Sequence, residues 1–169
     1  AQMRLAAVSK AIPAQRLGVE DCVIAAGHPP LEARAFRRIF GINEVRVWPR
    51  ETGFAEILRS VLDALPATDG PLPDTFLYVH ACPLHALGAA DTLNALRKAH
   101  LLLAQIEQVF EIDQMCCASV FWALEAAQNM LRRGISRSVI IVAGESFSDL
   151  PVAERYMPAC TVLGDAYIA

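Results

Sequence analysis

The chain of 169 residues is long enough for one domain of ordinary size with a substantial buried core. Hydrophobic residues make up 54% of it and charged residues 20%, which excludes global disorder, and a net charge of -3 provides no basic surface for nucleic acid. The apolar runs are too short to cross a bilayer, and Lys10 interrupts the apolar N-terminal stretch that a signal peptide would need. We therefore expect a cytoplasmic protein that binds neither nucleic acid nor membranes.

The first third of the chain predicts a strand, a helix and a second strand. Residues 3–9 (MRLAAVS) have the composition of a short buried strand. Residues 30–40 (PLEARAFRRIF) predict a helix that begins at Pro30 and ends at Gly41. The alternating stretch NEVRVW that follows is typical of an edge strand.

The middle of the chain continues with helices and apolar strands in alternation. Residues 52–65 follow a helical period, and Thr52 is placed to cap the helix. After the loop ATDGPLP comes the continuous apolar strand TFLYVHA. Residues 89–106 are helical in pattern, and VFEID is the next strand. The apolar stripe of the 52–65 helix consists of Phe54, Ile57, Leu58, Val61, Leu62 and Leu65.

The last third begins with a helix of unusual composition. Residues 119–133 predict a helix that ends just before Gly134, and its first half is apolar around the whole circumference. Since such a helix is buried between layers, we expect another chain, or a further half of this one, to cover it. The strand SVIIVAG follows, and TVLGDAYIA predicts another. Strands and helices alternate and several strands are apolar on both faces, so the fold class is α/β with a parallel sheet.

The five cysteines are odd in number and lack CxxC spacing, which argues against a zinc site and against a thioredoxin-like motif. We expect no metal. Cys22, Cys82 and Cys160 are interpreted as reduced thiols that act as small hydrophobic side chains.

Cys116 and Cys117 are different because they lie between a strand and a helix, in the segment EIDQMCCASVFW. The unpaired N–H groups and the positive end of the macrodipole at a helix start favour a thiolate and can hold a thioester oxygen. From the residues alone two interpretations stay open: acyl transfer onto sulfur, or a core cysteine that happens to begin a helix. A cysteine hydrolase would need a nearby histidine base, and the sequence places none convincingly.

Four segments resemble, in order and spacing, the N-terminal half of thiolase-fold condensing enzymes, closest to the type III beta-ketoacyl-acyl-carrier-protein synthases. The segments are RLAAVSKAIPAQRLGVED, FGINEVRVW, EIDQMCCASVFWALEAAQNMLRRGISRSVIIVAGE and VLGDAYIA, and they span nearly all 169 residues. The resemblance implies a thiolase-like fold with a mostly parallel mixed sheet and a buried nucleophile helix. It also implies that residues 1–169 form a single N-terminal half-domain whose C-terminal half is absent from this chain.

The resemblance further implies an acyltransferase of the condensing type. Cys117 matches the nucleophile by the spacing downstream, whereas the spacing upstream suits Cys116, which remains the alternative. The nucleophile would take an acyl group from CoA or an acyl carrier protein for carbon–carbon bond formation in fatty-acid, polyketide or secondary-metabolite synthesis. The thioester is a substrate, and no cofactor is implied.

Other positions are assigned by the same resemblance. Arg155 lies near a CoA-binding arginine of the family, and His85 is a candidate for the pocket lining, so both are predicted to bind substrate. Ser119 replaces the family's usual glycine, Tyr167 replaces a small residue, and Gly164–Asp165 is interpreted as a structural turn. Because the family's catalytic His and Asn lie in the other half, we expect a C-terminal half or a partner chain, in a homodimer or a heterodimer. The alternative function is a non-catalytic, thiolase-like partner subunit of an active synthase.

Overall fold

In the computed structural model, the chain is described at residues 3–81, 94, 97–98, 100–158 and 161–169. It divides into two compact units. The sheet unit comprises Ala1–Ala11, Gly53–Glu145 and Tyr167–Ala169, and the ribbon unit comprises Ile12–Thr52 and Ser146–Ala166. No helix of the described ranges is both long and apolar enough to span a membrane.

The described strands are β1 (Lys10–Ala11), β2 (Arg16–Gly18), β3 (Glu44–Arg46), β4 (Thr75–Val79), β5 (Gln108–Ile112), β6 (Val139–Glu145), β7 (Tyr156–Met157), β8 (Thr161–Val162) and β9 (Ala166–Ile168). The described α-helices are α1 (Val19–Ala25), α2 (Pro30–Ala35), α3 (Phe54–Asp63) and α4 (Ser119–Arg132). A π turn (Phe36–Phe40) extends α2, and 3-10 turns occur at Leu101–Leu103, Cys116–Ala118 and Val152–Arg155.

The sheet unit is built on a five-stranded mixed sheet in the order β1-β9-β6-β4-β5. β4 runs parallel to both neighbours, with Thr75 opposite Gln108 on β5 and Val139 on β6. β1 and β9 pair antiparallel. All five residues of β4 are buried, as the continuous apolar run predicts for a strand covered on both faces. The α/β class and the mostly parallel mixed sheet are confirmed.

The two faces of this sheet are covered in different ways. On one face α4 packs through small side chains, Ala123 and Ala127, onto Leu77, Val79 and Ala143. The other face carries aromatic side chains. There the rings of Tyr78 and Tyr167 are both buried, and their hydroxyl oxygens lie 3.2 Å apart. Burial, reinforced by Tyr167, raises the pKa of Tyr78 far above its usual value, so this hydroxyl stays protonated.

The ribbon unit contains two antiparallel ribbons, β2–β3 and β7–β8, around its own core. Cys22 is completely buried in that core, and burial raises the pKa of its thiol. The prediction that Cys22 acts as a small hydrophobic side chain is therefore confirmed, whereas Cys82 and Cys160 lie outside the described residues.

The prediction of a strand over residues 3–9 is wrong. Residues 3–8 carry no regular structure, and Leu5 and Val8 are exposed. A strand needs a partner, and pairing with β9 begins only where the N–H of Ser9 donates to the carbonyl of Ala169. An apolar composition indicates a buried segment but does not say where the neighbouring strand ends.

Two helix boundaries also differ from the prediction. The helix from Pro30 to Gly41 is confirmed, with Gly41 left-handed at φ 69°, although its last turn is π rather than α. α3 is capped by the main chain of Gly53 and not by the side chain of Thr52. Most of the helix predicted over residues 89–106 lies outside the described residues, and its described end, Leu101–Leu103, is a 3-10 turn.

Asp74, which precedes β4, ties that strand to the chain entering β6. The carboxylate accepts hydrogen bonds from the hydroxyl of Ser136 and, at 3.0 and 3.3 Å, from the N–H and Nε of Arg137. Burial would raise the pKa of Asp74, but these donors together hold it below the usual value.

Asp74→Asn is expected to lower the free energy of unfolding by about 1–3 kcal/mol at pH 7, because an amide offers one acceptor where the carboxylate offers two. A carboxyl group with a depressed folded-state pKa stabilises above its unfolded pKa, about 3.9, and that stabilisation is lost as the pH falls through the folded-state pKa. The difference between variant and parent should therefore shrink below about pH 4. Urea unfolding at pH 7, 5 and 3 measures it, and a difference that does not change with pH would contradict this role of the ionised form.

Candidate active site

The site is assembled at the edge of the sheet where the three parallel strands end. β4 lies between β6 and β5, so residues that follow these strands meet at one edge. His80 and Ala81 follow β4, the cysteine pair follows β5 after a three-residue turn, and Glu145 ends β6. The carboxyl edge of a parallel sheet is where ligands commonly bind in α/β folds.

The chain turns sharply between β5 and α4. Cys116–Ala118 forms a single 3-10 turn that leads directly into α4 at Ser119. The N–H of Ala118 donates to the carbonyl of Met115 at 3.0 Å, and the N–H of Met115 donates to Oγ of Ser119 at 3.1 Å. Cys116 adopts a left-handed conformation with φ 48°, which is otherwise seen in the described residues only at glycines.

Both cysteines of this turn are exposed and neither forms a disulfide. They precede α4, whose first turn carries the positive end of the helix dipole. The N–H groups of Ala118 and Ser119 are used within the turn, by the carbonyls of Met115 and Cys116. A thiolate and a developing oxyanion are both stabilised by the positive end of a helix dipole. The arrangement is a strand–turn–helix elbow, with two exposed thiols at a strained bend.

His80 and Glu145 occupy the same edge but take part in its architecture. His80 is buried, its ring stacks on Tyr78 with 4.8 Å between centroids, and its Nε2 lies 3.6 Å from the carboxylate of Glu111. The main-chain N–H of His80 donates to the carbonyl of Ile112 at 3.3 Å, which links the end of β4 to the end of β5. The carboxylate of Glu145 is half-buried and accepts the N–H of Ala81.

Arg155, predicted to bind substrate, is buried in the ribbon unit in an ion pair with Asp165. Its two terminal nitrogens lie 3.0 and 3.3 Å from the two carboxylate oxygens and also donate to the carbonyls of Leu163 and Phe147. This environment is typical of an architectural residue, and a role in substrate binding stays a prediction. His85, the other predicted substrate ligand, lies outside the described residues.

The face of α4 that points away from the sheet carries exposed apolar side chains. Phe121 is 69% exposed and Trp122 56%, and Leu124 is also exposed. Next to it, β5 and the second half of α4 border an apolar groove of about 400 Å³. Its apolar lining includes Phe110, Ile112, Ala126, Met130 and Ile135.

Sequence reasoning did not find the part that Ser119 plays in the turn. It identified Ser119 only as a departure from a glycine, whereas the structure shows the side chain fully buried and bonded to the main chain of Met115. A serine four residues after the hydrogen-bonded residue, at the first position of a helix, is the signal that could have indicated this.

Comparison with known proteins identifies the fold. No family model matches the chain, and no curated protein matches it. Among solved structures, it is similar to the 3-oxoacyl-(acyl-carrier protein) synthase from Burkholderia xenovorans LB400, with 19% identity and a TM-score of 0.70 over 98% of this chain and 46% of that one. It is also similar to beta-ketoacyl-[acyl carrier protein] synthase III from Thermus thermophilus, with 18% identity and a TM-score of 0.65 over 96% and 48%.

A third similar structure is OleA from Xanthomonas campestris, with 12% identity and a TM-score of 0.68 over 96% of this chain and 53% of that one. At these identities the likeness establishes the fold. The chain spans about half the length of the solved structures that it matches.

Proposed function

Because the chain has the thiolase-type fold of half a 3-oxoacyl-(acyl-carrier-protein) synthase III, we propose that it is the nucleophile-bearing half of an acyltransferase of the condensing type. The observation that carries the proposal is the elbow after β5, where two exposed thiols precede α4 at a left-handed bend. A strained bend that presents a nucleophile at a helix start is suited to attack on a carbonyl carbon.

The step assigned to the thiol is an exchange of thioesters. The thiolate of Cys117 attacks the carbonyl carbon of an acyl-CoA or an acyl carrier protein thioester, and a new carbon–sulfur bond forms. The negative charge on the carbonyl oxygen is stabilised by the positive end of the α4 dipole. When the tetrahedral intermediate collapses, the original carbon–sulfur bond breaks and the carrier leaves as a thiolate, which takes up a proton from water.

The sequence and orientation of α4 favour Cys117 over Cys116 as the nucleophile. The residues six and seven positions after Cys117, Ala123 and Leu124, match the family's pattern, and Ala123 is buried against the sheet. Because Ala123 packs against the sheet, the orientation of α4 also fixes the position of Cys117, six residues earlier. Cys116, which holds the left-handed conformation, then shapes the bend and remains the alternative nucleophile.

The test is intact-mass spectrometry of the protein after incubation with an acyl-CoA and, separately, with an acyl carrier protein. We expect a single acyl adduct, mapped to the peptide that contains residues 113–124 and released by neutral hydroxylamine, as thioesters are. No adduct with either donor, also in the presence of the polypeptide that covers α4, would contradict acyl transfer. That result would favour the non-catalytic partner subunit, which retains the fold to bind an active synthase.

The partner part of the proposal rests on the exposed apolar face of α4. A patch that contains Phe121, Trp122 and Leu124 is costly to leave in water and is typical of an interface. The chain spans about half of its structural matches, so the polypeptide that covers this face is the other half of the fold, carried by a continuation of the chain or by a partner. The residues that polarise the second substrate would come from that half.

We expect the isolated chain to associate through this face in a concentration-dependent way. Phe121→Glu should abolish that association, since a charge on the apolar patch opposes its burial. Sedimentation velocity at several micromolar concentrations measures the effect. Leu31→Glu is the matched control, because Leu31 is also 69% exposed but lies on α2 in the ribbon unit. A parent chain that stays monomeric throughout, or equal effects of the two substitutions, would contradict the assignment.

A further inference from the structure

The hydroxyl of Ser119 is buried, although the residue follows two exposed cysteines. Ser119 is 0% exposed, and its Oγ accepts the N–H of Met115 at 3.1 Å. The carbonyl of Met115 accepts the N–H of Ala118 at 3.0 Å. Both main-chain polar groups of Met115 are therefore used, and the chain is closed on itself around Cys116 and Cys117.

This closed turn contains a conformation that needs support. A residue with a Cβ is disfavoured at φ 48°, because Cβ approaches the main-chain carbonyl oxygens, and Cys116 carries that cost. Such conformations persist where the surrounding structure holds them. The two hydrogen bonds of Met115 span Cys116, and the N–H of Ser119 donates to the carbonyl of Cys116 itself. These contacts hold the residue in place.

We propose that Ser119 is a positioning residue, which through its hydrogen bond with Met115 holds the left-handed turn and so presents one thiol of the pair at the positive end of the α4 dipole. Neighbouring side chains on a sharp turn point in different directions, so the turn favours one sulfur over the other. The benefit to acyl transfer rests on the proposed function, whereas the effect on the turn does not.

The consequence for chemistry is a matter of alignment. Attack on a carbonyl carbon requires the sulfur and the oxyanion donors to be placed together, and small displacements of a catalytic group cost large factors in rate. Ser119 itself touches no substrate, because its side chain is buried and its hydroxyl faces the main chain. Its substitution should weaken the preference for one thiol over the other while the fold is retained.

The test is the relative rate at which iodoacetamide alkylates the two cysteines, resolved by tandem mass spectrometry in the folded protein. In the parent we expect one thiol to react about tenfold faster than the other, and in Ser119→Ala the ratio should fall to within about twofold. Ser9→Ala is the matched control. Ser9 is buried in the same unit and its hydroxyl donates to the carbonyl of Val61 at 2.7 Å, away from the turn. This control should keep the parent's ratio.

A second variant tests the mechanism itself. Glycine adopts a positive φ without the steric cost, so Cys116→Gly should make the turn independent of the hydroxyl. In that background Ser119→Ala should change the alkylation rate of Cys117 by less than about twofold.

Three results would each overturn the inference. The first two are an unchanged alkylation ratio in folded Ser119→Ala and equal alkylation rates of the two thiols in the parent. The third is a change of the Cys117 rate on Ser119→Ala that is as large in the Cys116→Gly background as without it. If the ratio responds as expected but no acyl adduct ever forms, the positioning role stands and acyl transfer fails. If acyl adducts form but the alkylation ratio does not change in Ser119→Ala, acyl transfer stands and the positioning role fails.

Discussion

Cys117→Ala is expected to abolish the acyl adduct, whereas Cys116→Ala should retain it. Removing a nucleophile that acts with its surroundings costs on the order of a thousandfold or more in rate, because the remaining groups have nothing to hold in place. Cys116→Ala removes no reacting atom in this assignment. Because alanine keeps the Cβ, the steric cost of φ 48° at this position stays the same. Single-turnover acylation followed by intact-mass spectrometry separates the two outcomes.

Cys22→Ala is the control for the loss of a thiol as such. Cys22 is completely buried in the ribbon unit, so the substitution should affect the free energy of unfolding and leave the adduct intact. An adduct that survives in Cys117→Ala and disappears in Cys116→Ala would transfer the nucleophile to Cys116. In that event the left-handed residue itself would carry the chemistry, as the bend of a nucleophile elbow does.

Asp165→Ala should lower the free energy of unfolding by about 3–5 kcal/mol, the usual cost of leaving one member of a buried ion pair without its partner. Both charged groups are buried, and the carboxylate also accepts the N–H groups of Trp48 at 2.8 Å and Phe147 at 2.9 Å. The substitution therefore removes the counter-charge of Arg155 together with an acceptor for two main-chain donors. Urea unfolding monitored by circular dichroism measures the change.

The matched control for Asp165 is a pair on the surface of the same unit. Arg16 and Glu44 are 2.9 Å apart but their side chains are 62% and 38% exposed, so Glu44→Ala should cost less than about 1 kcal/mol. Should Asp165→Ala fail to fold, Asp165→Asn, which preserves the shape and one acceptor, provides the measurement. Equal losses for Glu44→Ala and the Asp165 variant would show that burial adds nothing to the pair.

The parts of the fold that the sequence predicted well are those that depend on patterns of burial. The sequence identified β4 and β6 by their apolar runs and α3 by its periodic apolar stripe. These predictions succeeded because the hydrophobicity of a side chain depends only on the residue type. Residues 3–9 failed because their partner strand, β9, is more than 150 positions away, and composition does not indicate where pairing begins. Likewise the cap of α3 depends on the conformation of Gly53, not on the presence of a threonine.

For the candidate site, the sequence predicted the strand–turn–helix segment but not how it is held. That a thiol precedes a helix follows from the order of strand, turn and helix in Glu111–Ser119. The left-handed Cys116 and the bond from Met115 to Ser119 are set by φ and by side-chain direction, which short-range patterns do not specify. Arg155 was predicted to bind substrate because it lies near a CoA-binding arginine of the family. That position in the sequence does not indicate the buried carboxylate of Asp165, with which Arg155 forms an ion pair.

The place of β9 in the sheet has a consequence for how the chain folds. β9 lies between β1 and β6, so its residues 166–168 are the seam that joins the first strand to the parallel strands. During synthesis β4, β5 and β6 can associate while β1 still has no neighbour, and β1 is incorporated only when β9 arrives. Contacts between residues so distant in sequence form slowly, because the closure of a long loop precedes any gain from the pairing. The rate-limiting event in folding this unit is therefore expected to be the docking of β1 and β9, with the sheet around the cysteine turn already in place.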